Sequence, residues 1–501
     1  MTRPVVVGVA QAANKDPDRI VHPIDLIEAV VRAALEDAGA GLLDRIDAVY
    51  TTPVSVFSTS RPADELAERL DLAPGERVES SYSGSAPQQM LAAACDAIAA
   101  GRVRAAVVAG GIADASFRRA REAGRNPAAP PTAVWSQGSS QVEEYARHPR
   151  FDLGHGPRGE MAAGLDNPVG HFAMIESALA AEAGHGPGER RRWLGRLMAP
   201  FTEVAARRPQ LAWFPTPRSP EELSEVTADN RMVAQPYPKL MTSFPTVDLA
   251  AAVLVTSEEV ADRAGVPPER RVHPWAAASA RETHFPSQRP DVGRTPALTE
   301  AAGHVLRATR LGADEIDLVD IYSCFPSAVQ LGAAALGVDP LSRPLTVTGG
   351  LPYFGGPGAS YGCHALVTMV EELRAGRGRT GVVIGLGGMA GRFAVGLYSA
   401  ARPEREWDND TTGTEGRSGE DPGVELDLGR SGPARVEAMT VLYDRDRGPR
   451  EAPVFARFPD GTRTAARVAH PELAAELDGT SLVGETVEVV AGEGQPVYRL
   501  R

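Results

Sequence analysis

The sequence predicts an α/β protein: two similar, largely parallel sheets covered by helices, followed by a small β domain. Three observations predict it. Apolar runs of strand length alternate with helical periodicity over residues 1–111 and again over 251–399, as in strand–helix–strand units. Both regions contain one phrase, A-G-R-x-R-x-x-V-V-x-G, at Ala100–Gly110 and at Ala375–Gly385. Each copy ends a helix and starts a strand, and Ile46-Asp47 recurs as Ile316-Asp317, so the regions read as a duplication. After residue 400 the chain turns polar, acidic and glycine-rich, and short β-patterned segments follow.

In chain order, Val5–Ala10 has strand length and Asp25–Ala38 carries apolar residues at helical spacing. Ile46–Tyr50 (strand), Ala63–Leu70 (helix), Arg77–Ser80 (strand), Ser85–Ala99 (Ala-rich helix) and Ala105–Ala109 (strand) follow. From residue 112 to 246 Pro, Gly and Arg punctuate short helices such as Asn167–Ala183 and Arg190–Ala206. That stretch is too long for one loop and reads as an inserted helical layer. Alternation resumes with strands Ala251–Thr256 and Trp275–Ala280, helix Pro296–Thr309, strand Ile316–Tyr322 and helix Pro326–Leu336. Helix Ala359–Ala375 and strands Thr380–Leu386 and Arg392–Ser399 complete it. The domain plan is 1–111 with 247–265 as the first half, 112–246 as the insert and 266–400 as the second half. Residues 401–430 read as an acidic linker with too little apolar surface to order itself. Residues 431–501 read as a small β-barrel, with strands Ala434–Tyr443, Val454–Phe458, Thr464–Val468 and Glu485–Val490 and a turn at Pro459–Gly461.

Composition excludes several functions. The 501 residues are 43% hydrophobic and 23% charged, enough for a core without cross-links. A net charge of −13 argues against nucleic acid or an anionic membrane as partner. Three cysteines (Cys95, Cys324, Cys363) make neither a disulfide framework nor a zinc site, and no metal is expected. Lys15 and Lys239 are the only lysines, so Schiff-base chemistry has two candidates. No run approaches the ~18 apolar residues of a membrane span, and the N-terminal segment lacks a signal-peptide pattern, so a soluble cytoplasmic protein is expected. Gly385–Gly391 loosely suggests a dinucleotide loop, but Phe393–Tyr398 after it reads as a strand, and that fingerprint must open a helix.

Ligands of parallel sheets bind beyond the carboxyl ends of the strands. Three loops fall there: Ser81–Ala86 at the start of the Ala-rich helix, Tyr322–Pro326, and the Gly-rich Leu351–His364. The repeat aligns Ser83 with Gly358 and Ser85 with Ser360, so the first and third loops are equivalent, one per half. Amides at helix N-termini stabilise a developing oxyanion; Gly and Ser there also cap helices without any chemistry.

These loops resemble those of the thiolase superfamily, over about residues 1–400. Ser83-Gly84-Ser85-Ala86 sits where thiolases carry C-G-S-G with the nucleophilic cysteine. Tyr322-Ser323-Cys324-Phe325 sits where they carry N-E-A-F, or H-D-C-F in the sterol-carrier type. Gly349-Gly350 with Gly355–Ser360 is similar to G-G-x4-G-H-P-x-G-A-S displaced by one, and Gly385–Met389 to the last glycine-rich turn. Asn230–Met241 and the appended β domain resemble the thiolase-like type 1 branch of actinobacterial acetyl-CoA acetyltransferases. The resemblance implies duplicated βαβαβαββ halves in an α/β/α/β/α stack, with an OB-like C-terminal domain. All four catalytic positions depart: Ser83 replaces the nucleophile, Gly356 the histidine and Tyr322-Ser323 the polar pair, and the final turn has no cysteine.

The function so implied is acyl-CoA acyl transfer from a degenerate site. A retro-aldol carbon–carbon lyase and a non-catalytic acyl-CoA or lipid carrier are the alternatives. Serine needs an adjacent base where a thiol does not. The candidate catalytic set is Ser83, Tyr322, Ser323, Cys324, Tyr353, Gly356 and His364, with Tyr82 and Tyr361 in the same tyrosine-rich group. Coenzyme A, as substrate or ligand rather than a tightly held cofactor, would be met by Arg190, Arg191, Arg207 and Arg208 of the insert and by Gly387 and Gly388. The partner is thus an acyl-CoA, and the protein a homodimer or a monomer.

Overall fold

The computed structural model describes residues 2–39, 41–54, 61–124, 158–283, 285–415, 423–492 and 495–501. The first half carries β1 (Pro4–Ala13), β2 (Ile46–Thr51), β3 (Glu76–Glu79) and β4 (Ala105–Ala113). Two short strands of the insert, β5 (Met232–Ala234) and β6 (Tyr237–Pro238), precede β7 (Asp248–Ser257). The first sheet runs β1-β7-β4-β2-β3. Only β7 opposes its neighbours, so the sheet is largely parallel. Every residue of β4 and β7 is buried, which is why both read as nearly continuous small and apolar runs.

The second half repeats this plan with β8 (His273–Arg281), β9 (Leu318–Ile321), β10 (Thr380–Gly387) and β11 (Arg392–Ser399), in the order β8-β11-β10-β9. The place of β3 is taken by an irregular segment whose Leu345 carbonyl accepts from the Ile321 amide. Helices Ala86–Ala99 and Tyr361–Arg374 lie between the sheets and touch both. Pro23–Ala38 and Pro62–Arg69 cover the outer face of the first sheet, and Pro296–Thr309 and Pro326–Leu336 that of the second. The result is the α/β/α/β/α stack. Proline in the first turn sets most of these starts, where its missing N–H costs nothing.

The insert supplies helices Asp114–Glu122, Arg158–Ala162, Pro168–Glu182, Pro187–Ala206 and Pro220–Ser224. Residues 125–157 of the expected insert lie outside the described residues.

The 401–430 expectation needs correcting. Asp408–Asp410 forms β12, which extends the second sheet parallel to β8. Trp407 Nε1 and Asn409 Nδ2 both donate to Asp96 at 2.6 Å, and Val424 donates to the Gln288 carbonyl. Acidic composition understated one indole and a free sheet edge, which together order this stretch; residues 416–422 lie outside the described residues.

The C-terminal domain contains β13 (Gly432–Met439), β14 (Leu442–Asp444), β15 (Gly448–Glu451), β16 (Val454–Arg457), β17 (Arg463–Val468), β18 (Thr486–Val490) and β19 (Val497–Arg499). Five of them close a barrel, β13-β16-β17-β19-β18. The expected single strand Ala434–Tyr443 breaks at Thr440, whose hydroxyl turns to the Gln235 carbonyl, so that β14 leaves the barrel and pairs with β5 of the insert. Buried Arg463 pins the barrel to the second half, donating to the Ser287 and Arg289 carbonyls at 2.6 and 2.7 Å.

Candidate active site

The duplication places two equivalent crossings at the centre. The strand end of each half meets the helix start of the other. A Cβ on Gly385 would stand 2.9 Å from Ser85 Cα, and one on Gly110 would stand 2.8 Å from Ser360 Cβ. Only glycine tolerates so close an approach, which explains why the shared phrase ends in Gly in both copies.

Ser83 lies in this crossing, 2% exposed. Its hydroxyl bonds Ser85 Oγ at 2.8 Å. Its other close neighbour is Gly387, where a Cβ would fall 1.8 Å from Ser83 Oγ. The structure thus brings Ser83 and the final glycine turn together but leaves no room between them. The position of the usual histidine is equally closed: a Cβ on Gly356 would stand 2.2 Å from Ser243 Oγ, and the Gly356 amide donates to the Phe244 carbonyl. No base is hydrogen-bonded to Ser83 among the described residues.

His364 does not fill that role. It is fully buried, its Nδ1 pairs with Gln11 Oε1 at 2.9 Å, and its ring lies 5.2 Å from Phe354. Burial pushes it down to about 3, so it stays neutral. Cys324 and Cys363 are buried thiols; burial raises both, Cys363 to about 12, which removes the thiolate that reactivity requires. Tyr353 is 2% exposed, and its hydroxyl has no hydrogen-bond partner among the described residues.

Tyr82 and Tyr322 are the half-buried groups of the tyrosine set. Both converge on Gly358: Tyr322 Oη lies 3.4 Å from its carbonyl, and Tyr82 Oη would lie 2.1 Å from a Cβ built there. Tyr322 also covers Gly84, beside Ser83, and meets Tyr361 edge-on at 5.4 Å. Beneath them is a buried acid that the sequence reading missed. Asp320 accepts from the Val347 and Thr348 amides and from the Thr346 and Thr348 hydroxyls, and Tyr361 Oη approaches it at 3.3 Å. Burial raises it to about 6 against the pull of those donors. The signal was Thr346 and Thr348 alternating before Gly349-Gly350 in an otherwise apolar loop. Ser323 lies against Gly350 and receives the Leu351 amide at 3.4 Å.

Two of the four arginines expected to meet coenzyme A are structural. Arg190 is 2% exposed, pairs with Glu176 at 2.6 Å, donates to Gln330 and stacks on Trp193. Arg208 is held by Glu371 and Glu372. Arg191 donates to the Ser224 carbonyl and lines a cavity of about 640 Å³ with Arg192, Arg196 and Trp193, while Arg207 is exposed at the end of its helix. Of the two glycines, Gly387 is buried against Ser83 and Gly388 is exposed in the turn.

Residues 419–494 match the family described as the thiolase-like protein type 1 additional C-terminal domain. The whole fold superposes on a crystal structure of a monomeric SCP2-thiolase-like protein type 1 from Mycobacterium smegmatis. The TM-score is 0.82 at 28% identity, over 100% of this chain and 99% of that one. This chain has a thiolase-like fold. The thiolase-like chain is also 27% identical over 251 residues to an acetyl-CoA acetyltransferase of Methanothermobacter thermautotrophicus, covering 46% of this chain and 63% of that protein. It is 31% identical over 127 residues to one from Syntrophomonas wolfei, covering 25% and 30%. It therefore spans less than two thirds of these curated relatives. An Ltp2-ChsH2(DUF35) aldolase shares the fold at a TM-score of 0.60 and 18% identity, over 80% of this chain and 98% of that one. Among the described residues no helix is long and apolar enough to cross a membrane, and no group of three His, Cys, Asp or Glu gathers to hold a metal.

Proposed function

We propose that this thiolase-like protein binds acyl-CoA thioesters at the loops where its halves meet, and that it does not carry the acyl group on its own nucleophile. One observation carries the second clause: Ser83 is buried, its hydroxyl bonds Ser85 Oγ, and among the described residues no base is hydrogen-bonded to it. Serine attack on a thioester needs a general base to take the hydroxyl proton. The acetyl-CoA acetyltransferase relatives support the ligand class. Three buried free thiols suit a reducing cytoplasm, and the monomeric Mycobacterium relative favours a monomer. The test is calorimetric titration with coenzyme A and acetyl-CoA, followed by intact-protein mass after acetyl-CoA incubation. Binding without an acetyl adduct is expected. An adduct on Ser83 overturns the second clause, and absence of binding overturns the first.

A second reading rests on Tyr82 and Tyr322, whose phenols meet at Gly358 where a substrate would arrive. In a retro-aldol step one phenol relays the β-hydroxyl proton away, the Cα–Cβ bond breaks, a carbonyl compound leaves, and the thioester enolate takes a proton back. Release of a ketone or aldehyde from a β-hydroxyacyl-CoA, lost in Tyr322→Phe and Tyr82→Phe, supports this lyase. No release from the native protein removes it.

A further inference from the structure

The cavity of about 640 Å³ lies in the insert, between helices Pro187–Ala206 and Pro220–Ser224. Its size is that of a small-molecule site. Gly195 sets the crossing of the two helices: a Cβ there would stand 2.3 Å from the Pro220 carbonyl oxygen. Arg191 ties them one turn away, its Nε donating to the Ser224 carbonyl at 2.9 Å. The apolar part of the lining is Trp193 and Pro220.

The charges on the two walls are sorted by sign. Arg192 and Arg196 stand one turn apart on the first helix, and Glu221 and Glu225 one turn apart on the second and at its end. All four are exposed. The ion pairs around the cavity are Arg190 with Glu176 at 2.6 Å, and His185 with Glu189 and Arg218 with Glu222, both at 3.9 Å. None of the four takes part in an ion pair among the described residues, so the walls do not neutralise each other. Like charges one turn apart repel, and each wall therefore favours a counter-charge from outside the chain. Glu221 stays charged, since its own amide and Ser219 hold its carboxyl below the usual range. His185 apart, the lining carries three arginines (191, 192, 196) against three glutamates (189, 221, 225). Such a balance is poorly matched to a polyphosphate, which needs a cationic site. It matches a molecule with one charge of each sign.

We propose that this cavity binds a linear zwitterion, an ω-amino acid, with its carboxylate on Arg192 and Arg196, its ammonium on Glu221 and Glu225 and its methylenes against Trp193 and Pro220. Guanidinium groups match carboxylates bidentately, and an ammonium offers three donors to the carboxylates opposite. One bound molecule would answer both like-charged pairs at once. The site shares no residue with the loops where the halves meet, and stands whether or not an acyl-CoA binds there.

The experiment is calorimetric titration of the full chain with 6-aminohexanoate, with hexanoate, hexylamine and inorganic phosphate as comparisons. The zwitterion is expected to bind, and each single-charge analogue to bind at least about tenfold more weakly, the usual effect of removing a charged hydrogen-bonding partner. The same loss is expected for the zwitterion in Arg196→Gln and in Glu225→Gln, both exposed positions where the change leaves the core untouched. Glu203→Gln, exposed two turns further along helix Pro187–Ala206, is expected to leave binding unchanged. The proposal is overturned if native protein gives no heat with 6-aminohexanoate, or if hexanoate, hexylamine or phosphate binds as tightly. It is equally overturned if either Arg196→Gln or Glu225→Gln binds as native does, or if Glu203→Gln loses as much affinity as they do.

Discussion

Restoring the thiolase cysteine by Ser83→Cys is expected not to restore a nucleophile. Position 83 is 2% exposed, as enclosed as Cys363, whose thiol burial raises to about 12. At that value the thiolate fraction at pH 7 is ~10⁻⁵, against about 3% for a free thiol of pKa ~8.5. The N-terminus of helix Ala86–Ala99 opposes this, but helix ends contribute at most ~2 kcal/mol, or about 1.5 pKa units. The fraction then rises only to ~3 × 10⁻⁴, so alkylation should run about 100-fold slower than for an ordinary thiol. The assay is iodoacetamide labelling followed by intact mass, from pH 6 to 10. Native Cys95, Cys324 and Cys363 are 0%, 8% and 0% exposed, and Ser83→Ala measures their background. A labelling midpoint below pH ~8.5, the ordinary thiol value, or an acetyl adduct from acetyl-CoA, refutes the view of a closed, baseless site.

Arg190→Ala strands Glu176 in the core beside Tyr237 and Gln330 and should cost ~3–5 kcal/mol in urea unfolding, while the folded fraction keeps its affinity for coenzyme A; a selective loss of that affinity would return Arg190 to the binding site. Asp320 is raised to about 6, so the folded chain keeps its proton after the unfolded chain has released it, and this group makes stability fall as pH rises from about 4 to about 6. Linkage puts the full effect at ~3 kcal/mol, of which ~2 kcal/mol falls between pH 4.5 and 7.5, and unfolding of Asp320→Asn at those two pH values should show a loss of slope of that size relative to the native chain; an identical slope refutes it. Tyr353→Phe removes a buried hydroxyl that has no partner among the described residues, so stability should hold or rise by up to ~1 kcal/mol; a loss beyond that reveals a bond to the phenol.

The fold was legible because its signals were redundant. Strand alternation, proline at helix starts and the repeated phrase all pointed to one architecture, and helices Pro296–Thr309 and Pro326–Leu336 begin and end where periodicity and proline put them. Short pieces escaped for want of period: β15, β19 and helix Pro471–Glu476 are too brief to show one. β12 escaped because an edge pairing is a property of the partner, β8, and not of Asp408–Asp410. At the site, motif position located Ser83, Gly356 and Gly387, but partners are set by the fold. Arg190 and Arg191 are adjacent in a basic run, yet one is sealed on Glu176 and the other reaches a cavity. His364, a candidate from its place in the third loop, lies against Phe354 and Gln11.

The departures from the thiolase pattern are coupled, not four separate losses. A histidine at Gly356 needs its Cβ where Ser243 Oγ now stands, so the 243–244 segment has to move first. That segment is tied on both sides, since the Ser243 amide donates to the Cys324 carbonyl and the Phe244 amide to that of Leu351. Cys324 follows Tyr322 and Ser323, and Tyr322 in turn covers Gly84 beside Ser83. Each of these positions is therefore held closed by the loop that carries the next. A thiolase could not be rebuilt here by returning its residues one at a time, because each would enter space that the other replacements occupy. Chemistry at these loops must use groups that still reach their surface, and among the candidate catalytic residues and their tyrosine neighbours those are the phenols of Tyr82 and Tyr322.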